Sequence, residues 1–379
     1  MYQEIIKLIR KIYDTDNFIP LHEPRFRGNE KKYLNECIDS TFVSSVGKFV
    51  DQFETAVAKF TGAEYAIATV NGTAALHIGL LLADVKPNDE VITQPLTFVA
   101  TANAISYCGA HPVFVDVDKD TMGLSPEKLK AFLEKNTTIV NGKCVNTLTN
   151  RIIKAVVPMH TFGLPMRIEE VVEICNNYNI TIVEDAAESL GSYYNHKHTG
   201  TFGSIGTLSF NGNKTITTGG GGMLITNDKS IAEKAKYITT TAKVPHSWEY
   251  HHDMTAYNYR LPNLNAALGC AQMESLPGFL ESKKNLAEKY NHFFKKNDAI
   301  EFIEPISEGD SNFWLNAIRL SNLEVRNEFL KATNEAGVMT RPIWKLMNSL
   351  PMYKSAQCGN LDNSEFLENR IVNLPSSVI

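Results

Sequence analysis

Short apolar segments alternate with amphipathic segments between about residues 64 and 228. The apolar runs predict strands, and the segments between them predict helices, because their apolar residues recur three and four positions apart. This alternation is typical of an α/β protein with a mostly parallel sheet and helices on both faces, and such sheets bind ligands at the carboxyl ends of their strands. The predicted strands are 65–69, 90–93, 112–115, 152–157 and 181–184, and the predicted helices are 72–83, 98–107, 126–133 and one whose apolar face contains Ile168, Val171, Val172 and Cys175.

The alternation breaks near the end of this region. Predicted strands at 207–210 and 223–226 have no helix between them, and we expect the turn-rich insert NGNKTITTGGGG at an irregular edge of the sheet facing the crevice. A long helix is expected from Asn263 to about Lys296, broken at Pro277-Gly278. The predicted organisation is an N-terminal helical arm at 1–18, a large α/β domain at 19–255, and a connector helix with a small C-terminal α+β domain at 256–379.

The first residues of the chain have a helical pattern of their own. Ile5, Leu8, Ile9 and Ile12 share one helical face, so we expect this helix to pack on another surface, with a partner subunit as one candidate. Charged residues interrupt the apolar ones, which is typical of neither a secretion signal nor a membrane span.

Charge and cysteine content narrow the class of protein. The 37 Lys and Arg against 42 Asp and Glu give a net charge of −5, which argues against a nucleic-acid or anionic-membrane surface. The six cysteines form no CxxC pair and lack histidines at zinc-ligand spacing, so we expect reduced, buried thiols and no metal centre. These features favour a cytoplasmic protein.

The segment VNGTAAL at residues 70–76 is a predicted strand-to-helix turn. Free N–H groups at a helix start, beside a glycine and the Thr73 hydroxyl, suit a phosphate. A capped helix that binds nothing would have the same local sequence.

The segment IVEDAAES at residues 182–189 ends a predicted strand with acidic residues. Neighbouring strand residues point in opposite directions, so only one of Glu184 and Asp185 can face the crevice. Two other interpretations are a helix N-terminus that favours acids and ligation of Mg²⁺.

Lys214 lies between two apolar strands in a loop that continues into Gly219–Gly222. A lysine in a polar loop is usually just solvated, but a desolvated lysine is a competent Schiff-base nucleophile. The glycines do not form a P-loop, and no GxGxxG follows the first strand. A phosphate cradle, an acid for a ring nitrogen and a Schiff-base lysine are together what pyridoxal phosphate requires.

With these motifs, the chain resembles the DegT/DnrJ/EryC1/StrS family of sugar-nucleotide aminotransferases, which are fold type I pyridoxal phosphate enzymes. The resemblance covers nearly the whole chain. It rests on the blocks NGTAALH, DEVITQPLTFVATANAI, GAHPVFVDVD, VEDAAESLGS, GTLSFNGNKTITTGGGG and YNYRLPNLNAALG.

The resemblance implies roles for individual residues. Lys214 would form the Schiff base and, once displaced, move the proton between substrate and cofactor. Asp185 would pair with the pyridine nitrogen, and Glu188 would lie near the ring hydroxyl, where family members often have Gln or His. The other implied cofactor contacts are Gly72, Thr73 and Ser209 at the phosphate, Phe98 stacked on the ring, and Asn258 at the phosphate of the neighbouring subunit of a homodimer.

The resemblance also implies the reaction. L-glutamate would donate the amine, and a nucleotide-linked keto sugar would accept it. The segment from IPLHEPRFRGNEKKYL to FVDQFE resembles that of the family members in legionaminic-acid pathways. This resemblance implies that the acceptor is a UDP-4-keto-6-deoxy-N-acetylhexosamine. His160 is a candidate for the substrate side, with a structural histidine as the alternative, and Arg260 could bind a substrate anion or pair with an acid.

Three other functions compete with transamination. Some family members are dehydratases in which a histidine replaces the lysine, and a non-catalytic regulator would be expected to lose Lys214 or Asp185; both residues are present. A metal-dependent nucleotide-binding protein would explain the acids and the glycines, but it would leave Lys214 and the turn at 71–73 without a common purpose.

Overall fold

The computed structural model of the protein describes residues 2–296 and 299–379. Within these ranges, seven strands form the largest sheet, in the order β1-β11-β10-β7-β6-β2-β3. The strands of the chain are β1 Tyr65–Thr69, β2 Glu90–Thr93, β3 His111–Phe114, β4 Thr137–Val140, β5 Lys143–Asn146, β6 Ile153–Val157, β7 Thr181–Asp185, β8 Tyr193–Tyr194, β9 Lys197–His198, β10 Ile205–Ser209, β11 Gly222–Thr226, β12 Glu301–Phe302, β13 Gly309–Asp310, β14 Asn316–Arg319, β15 Arg341–Pro342 and β16 Ile371–Leu374.

The large sheet is mostly parallel, as the alternation of segments predicts. The neighbouring pairs among β10, β7, β6, β2 and β3 are parallel, whereas β11 lies antiparallel between β1 and β10. The two strands that flank the glycine-rich insert are therefore inside the sheet, not at its side. Every residue of β11 is buried, so burial on both faces accounts for a central place in the sheet.

Helices cover both faces of this sheet. In β1, Ala66 and Ala68 pack toward α3 and α9, while Ile67 packs toward α4 and α8 on the opposite face. The helices are α1 Tyr2–Tyr13, α2 Glu30–Ser40, α3 Lys48–Thr61, α4 Gly72–Leu82, α5 Val99–Tyr107, α6 Pro126–Asn136, α7 Ile168–Asn177, α8 Lys229–Thr239, α9 Asn263–Phe294, α10 Leu323–Glu335 and α11 Asp362–Glu368.

A second, antiparallel sheet follows α9. Its order is β12-β14-β16-β15, and α10 and α1 pack against it. Ile5 and Ile9 of α1 are fully buried in one apolar cluster with Phe329 of α10 and Val372 of β16. The apolar face of the N-terminal helix is therefore covered by the C-terminal part of the same chain.

Two local predictions are wrong. Helix α9 continues through Pro277 instead of breaking there, because Leu276 and Phe279 anchor it in the core while Pro277 and Gly278 lie on its exposed side. Five cysteines are buried as expected, but Cys358 is exposed, because it lies in the irregular segment that precedes α11.

Candidate active site

A cavity of about 330 Å³ lies where β7 and β10 end and α4 begins. Two tryptophans from the C-terminal part of the chain complete its wall. The lining residues are Asn71, Gly72, Thr73, Leu76, Phe98, Ala100, Met159, Asp185, Ala187, Glu188, Ser209, Asn211, Asn213, Lys214, Trp314 and Trp344.

The start of α4 forms one end of the cavity. The Asn71 side chain caps the helix by accepting a hydrogen bond from the Ala74 N–H at 2.7 Å. A Cβ atom on Gly72 would lie 2.9 Å from the Ser209 Cβ, so only glycine lets the helix start this close to the end of β10. The first N–H groups of a helix lack partners within it, and here they lie beside the Thr73 and Ser209 hydroxyls. This arrangement suits a phosphate.

Asp185 brings a buried carboxylate to the cavity. Its Oδ2 accepts a hydrogen bond from the Thr101 hydroxyl at 2.7 Å, and its Oδ1 accepts one from the Ala187 N–H at 3.1 Å. Burial raises the pKa of Asp185, and these two donors oppose the rise. The carboxylate is therefore poorly solvated and suited to a cationic partner, such as a protonated ring nitrogen.

Glu184, its neighbour in β7, faces away from the cavity. Its carboxylate accepts hydrogen bonds from three backbone N–H groups of the loop at 200–203, at 2.6 to 2.8 Å. It also lies 3.2 Å from His160 Nε2, and the Met166 N–H donates to the Nδ1 of the same ring at 3.3 Å. The two acids thus point in opposite directions, as strand geometry predicts. Residues 186–190 form turns, so a helix N-terminus does not explain these acids.

Lys214 and Glu188 form an ion pair inside the cavity. Lys214 Nζ lies 3.1 Å from Glu188 Oε1 and 3.9 Å from the centroid of the Trp314 ring. The other Glu188 oxygen accepts a hydrogen bond from the Phe162 N–H at 2.9 Å. Burial raises the pKa of Glu188 to about 7, although the Lys214 cation favours the ionised form. The Glu188 carboxyl can therefore bind or release a proton near neutral pH.

Seven of the ten residues named from the sequence line this one cavity, and three do not. Asn258 is exposed in an extended segment beside Thr240. Arg260 is buried, with its guanidinium 2.9 Å from Glu54, so it pairs with an acid in this protomer. His160 is held by Glu184 and Met166, as a structural histidine would be. The residues that line the cavity are Gly72, Thr73, Phe98, Asp185, Glu188, Ser209 and Lys214.

Sequence reasoning missed three groups that the structure brings to the site. Thr101 comes three residues after Phe98, on the helical face that reaches Asp185, so helix periodicity could have found it. Trp314 and Trp344 come from the region of the second sheet, 100 and 130 residues after Lys214 in sequence. Neither tryptophan lies in a motif or predicted element of the sequence, so no local signal pointed to them.

The residues present fit pyridoxal phosphate. An amine, a buried carboxylate and a helix start beside two hydroxyls surround one cavity, and these are the groups that the cofactor needs for its aldehyde, its ring nitrogen and its phosphate. No group of three or more His, Cys, Asp or Glu side chains among the described residues is arranged to hold a metal ion. In the same part of the chain, no helix is long and apolar enough to cross a membrane.

This fold and this site define a pyridoxal phosphate-dependent transferase of fold type I. Residues 24–378 match the DegT/DnrJ/EryC1/StrS aminotransferase family, and the chain belongs to that family. The aminotransferases of this family use pyridoxal phosphate and transfer an amino group between a donor and a nucleotide-linked sugar. The chain retains Lys214 and its named relatives are sugar aminotransferases, so the protein is a sugar aminotransferase.

Relatives and solved structures agree with the family. The chain is 36% identical to GDP-perosamine synthase of Escherichia coli O157:H7 over 95% of this chain and 93% of that protein. The aminotransferase TlmJ of Streptoalloteichus hindustanus superposes with a TM-score of 0.86 at 25% identity, covering 95% of this chain and 94% of that one. Helicobacter pylori PseC, an aminotransferase of pseudoaminic acid biosynthesis, gives a TM-score of 0.84 at 26% identity, with the same coverage.

Proposed function

We propose that the enzyme transfers the amino group of L-glutamate to C4 of a UDP-linked 4-keto-6-deoxy-N-acetylhexosamine. The product would be a 4-amino sugar for a bacterial surface glycan of the legionaminic-acid type. One observation carries the amino transfer: the Lys214 amine lies inside the cavity, 3.1 Å from Glu188. The choice of acceptor rests on the resemblance of residues 19–54 to the legionaminic-acid branch of the family.

When bound, pyridoxal phosphate supplies a carbonyl carbon that exchanges amines and a ring that withdraws electrons. Lys214 is the residue that would hold this carbon and, once released, would carry a proton on Nζ. Glu188 would take up or return that proton, because its pKa of about 7 lies near neutral pH. Asp185 would keep the ring nitrogen protonated, and the start of α4 would hold the phosphate.

The visible spectrum tests the role of Lys214. We expect the purified protein with cofactor to show an absorbance band that bleaches when glutamate is added, and we expect Lys214→Ala to lack this band. Wild-type protein that shows no band after incubation with the cofactor would refute the proposal and favour a protein that binds nucleotides with a metal.

A panel of acceptors tests the substrate. The UDP-linked keto sugar should be aminated at C4 with glutamate as donor, and NMR of the product would give the configuration of the new amine. A GDP-linked 4-keto-6-deoxy sugar is the second candidate, because relatives from three organisms at 34 to 36% identity are named GDP-perosamine synthase. Turnover of the GDP sugar alone would overturn the UDP assignment and leave the aminotransferase intact.

The enzyme would act as a homodimer with shared active sites. Large apolar side chains that are more than half exposed lie near the start of α3, beside the cavity mouth and in the loop before Asn258; among them are Phe42, Phe98 and Trp248. Asn258 lies outside the cavity of its own chain, so only a second copy could supply it to a phosphate.

Mixing two inactive variants tests this arrangement. If Asn258 acts in the neighbouring site, Lys214→Ala and Asn258→Asp chains combined before assembly should regain activity at about one quarter of the sites. Each mixed dimer would then contain one intact site. A mixture without activity would contradict the shared site but would leave the chemistry at Lys214 untouched.

A further inference from the structure

Lys283 in α9 is a fully buried lysine outside the cavity. Its Nζ lies 2.8 Å from His22 Nε2, 3.2 Å from the Trp314 carbonyl oxygen and 2.7 Å from the Ser376 carbonyl oxygen. These groups come from the segment before α2, the entry to β14 and the segment after β16. Lys283 therefore ties three distant parts of the chain together without lining the cavity.

The hydrogen-bond pattern favours a neutral amine at this place. An ammonium has three donors, so it would need the His22 Nε2 lone pair as an acceptor and would put the imidazole proton on Nδ1. That Nδ1 is buried, and it has no partner among the described residues. In the neutral state, two N–H bonds go to the carbonyls, and the amine lone pair accepts the His22 Nε2–H. This state leaves no buried N–H without a partner and buries no charge.

Burial of the pair acts in the same direction. Burial lowers the pKa of Lys283 to about 7, and burial together with the cations of Lys283, Lys214 and Arg25 lowers the pKa of His22 well below its usual value. The hydrogen-bond partners of Nζ include no carboxylate within the described residues. The other titratable groups near these segments are Glu23, which pairs with Arg25, and the phenols of Tyr13 and Tyr290, which donate to the carbonyls of Ser377 and Pro375.

Trp314 connects this buried pair to the catalytic lysine. Its backbone carbonyl accepts from Lys283, its ring lies 3.9 Å from Lys214 Nζ, and its indole N–H donates to the Asn213 carbonyl at 2.6 Å. Asn213 directly precedes Lys214. A change in the bond at Lys283 therefore moves a residue that contacts both the amine of Lys214 and the backbone beside it.

We propose that Lys283 is a neutral amine held by the His22 N–H above neutral pH, and that it is a positioning residue that orients Lys214 through Trp314. The inference rests on the sugar aminotransferase class and not on the identity of the sugar.

Indole NMR of the full-length protein tests the coupling. Each of the 3 tryptophans gives one ¹⁵N–H signal, and Trp314→Phe assigns the relevant one. The experiment uses a Glu188→Gln background, because the Glu188 carboxyl in the cavity would also titrate near pH 7 and could shift the same signal. In this background we expect the Trp314 signal to titrate, to become independent of pH in Lys283→Met, and to titrate unchanged in Lys284→Met, whose lysine is exposed on the same helix. A Trp314 signal that titrates equally in Lys283→Met would overturn the proposal.

The direction in which His22→Leu shifts the titration midpoint shows whether the His22 N–H donates to a neutral Lys283 amine or a Lys283 ammonium donates to His22. If the His22 N–H stabilises the neutral amine, His22→Leu removes that support and raises the titration midpoint by about one pH unit. If an ammonium donates to His22 instead, the same substitution lowers the midpoint. A lower midpoint would refute the neutral amine, and this variant decides the matter even if Lys283→Met fails to fold.

Kinetics of the glutamate half-reaction test the positioning role. We expect Lys283→Met to slow this step about tenfold at saturating glutamate, because misplacing a reacting group by about 1 Å is costly, and to leave the glutamate concentration at half-saturation unchanged. Its unfolding free energy should fall, because the His22 N–H and the carbonyl oxygens of Trp314 and Ser376 lose their buried partner. Lys284→Met should react at the wild-type rate. A folded Lys283→Met protein with wild-type kinetics would contradict the role of Lys283.

Discussion

Asp185 owes its proposed role to burial and to two specific donors. Asp185→Asn keeps the shape of the side chain but removes the charge that would hold a proton on the ring nitrogen. We expect turnover to fall by about 10²-fold or more, while the visible band of the bound cofactor remains. Steady-state assays and absorbance spectra of the same preparation check both parts.

Thr101→Val serves as a graded comparison for that variant. It retains the Asp185 carboxylate but removes the 2.7 Å hydrogen bond from the Thr101 hydroxyl, which raises the pKa of Asp185 further. A loss of turnover smaller than that of Asp185→Asn is expected. Near-normal turnover in Asp185→Asn would exclude the proposed pairing with the ring nitrogen.

The raised pKa of Glu188 predicts that the stability of the cofactor-free protein depends on pH. Its pKa of about 7 in the folded state lies above the ordinary value of 4.5, so the folded protein binds more protons than the unfolded chain between these limits. The contribution of Glu188 to stability is therefore fully present below about pH 4.5 and is lost as the pH rises toward 7.

Glu188→Gln removes this titration. From pH 5 to pH 7, urea unfolding should show the wild-type protein losing stability relative to the variant, by at most about 3 kcal/mol. A difference between the two proteins that stays constant over this range would contradict the raised pKa of Glu188.

At the scale of elements, the contact between α4 and β10 shapes the phosphate end of the cavity. In Gly72→Ala, the new Cβ would lie 2.9 Å from the Ser209 Cβ, so the helix start must move away from the strand. We expect a stability loss of about 1–3 kcal/mol and an affinity for pyridoxal phosphate at least tenfold lower. Urea unfolding and a cofactor titration measure the two effects.

Gly278→Ala is the matched control for that substitution. It adds the same methyl group inside helix α9, at a position where nothing lies within 4 Å of the new atom. Because alanine favours a helix over glycine, this variant should gain about 0.5–1 kcal/mol and bind the cofactor normally. Equal cofactor affinity in the two variants would show that the close approach of α4 and β10 does not shape the site.

The elements that the sequence predicts well are those whose side chains follow a simple period. Strand β1 has the predicted bounds of 65–69, and β7 ends one residue later than predicted. Period-two alternation also predicted that the side chains of Glu184 and Asp185 point to opposite faces of the sheet. Helix α9 is different: the local preference of Pro277 predicts a break, but Leu276 and Phe279 hold the helix in the core. That packing is not encoded within a few residues, so a local rule could not anticipate it.

At the scale of the whole molecule, the cavity depends on contacts between segments far apart in the chain. The phosphate end, the acids and Lys214 all follow strands of one sheet, and their convergence follows from the rule that ligands bind at the carboxyl ends of parallel strands. Trp314 and Trp344 reach the same cavity from beyond α9. Their place depends on how the second sheet packs against the first, which no periodicity in either segment specifies.

The N-terminal helix shows how the whole chain decides what a local pattern means. The face formed by Ile5 and Ile9 could have contacted a partner subunit, but both side chains are fully buried against α10 and β16 of the same chain.

We therefore expect Ile9→Ala to lower the unfolding free energy by about 3 kcal/mol without changing the oligomeric state. Lys7→Ala, on the exposed side of the same helix, should change stability by less than about 0.5 kcal/mol. Urea unfolding and light scattering at several protein concentrations distinguish a core position from a subunit interface. If Ile9 lay in an interface, the oligomeric state and the stability of Ile9→Ala would depend on protein concentration far more than those of the wild type. Such a dependence would assign this face to a contact between subunits and would contradict its place in the apolar cluster with α10 and β16.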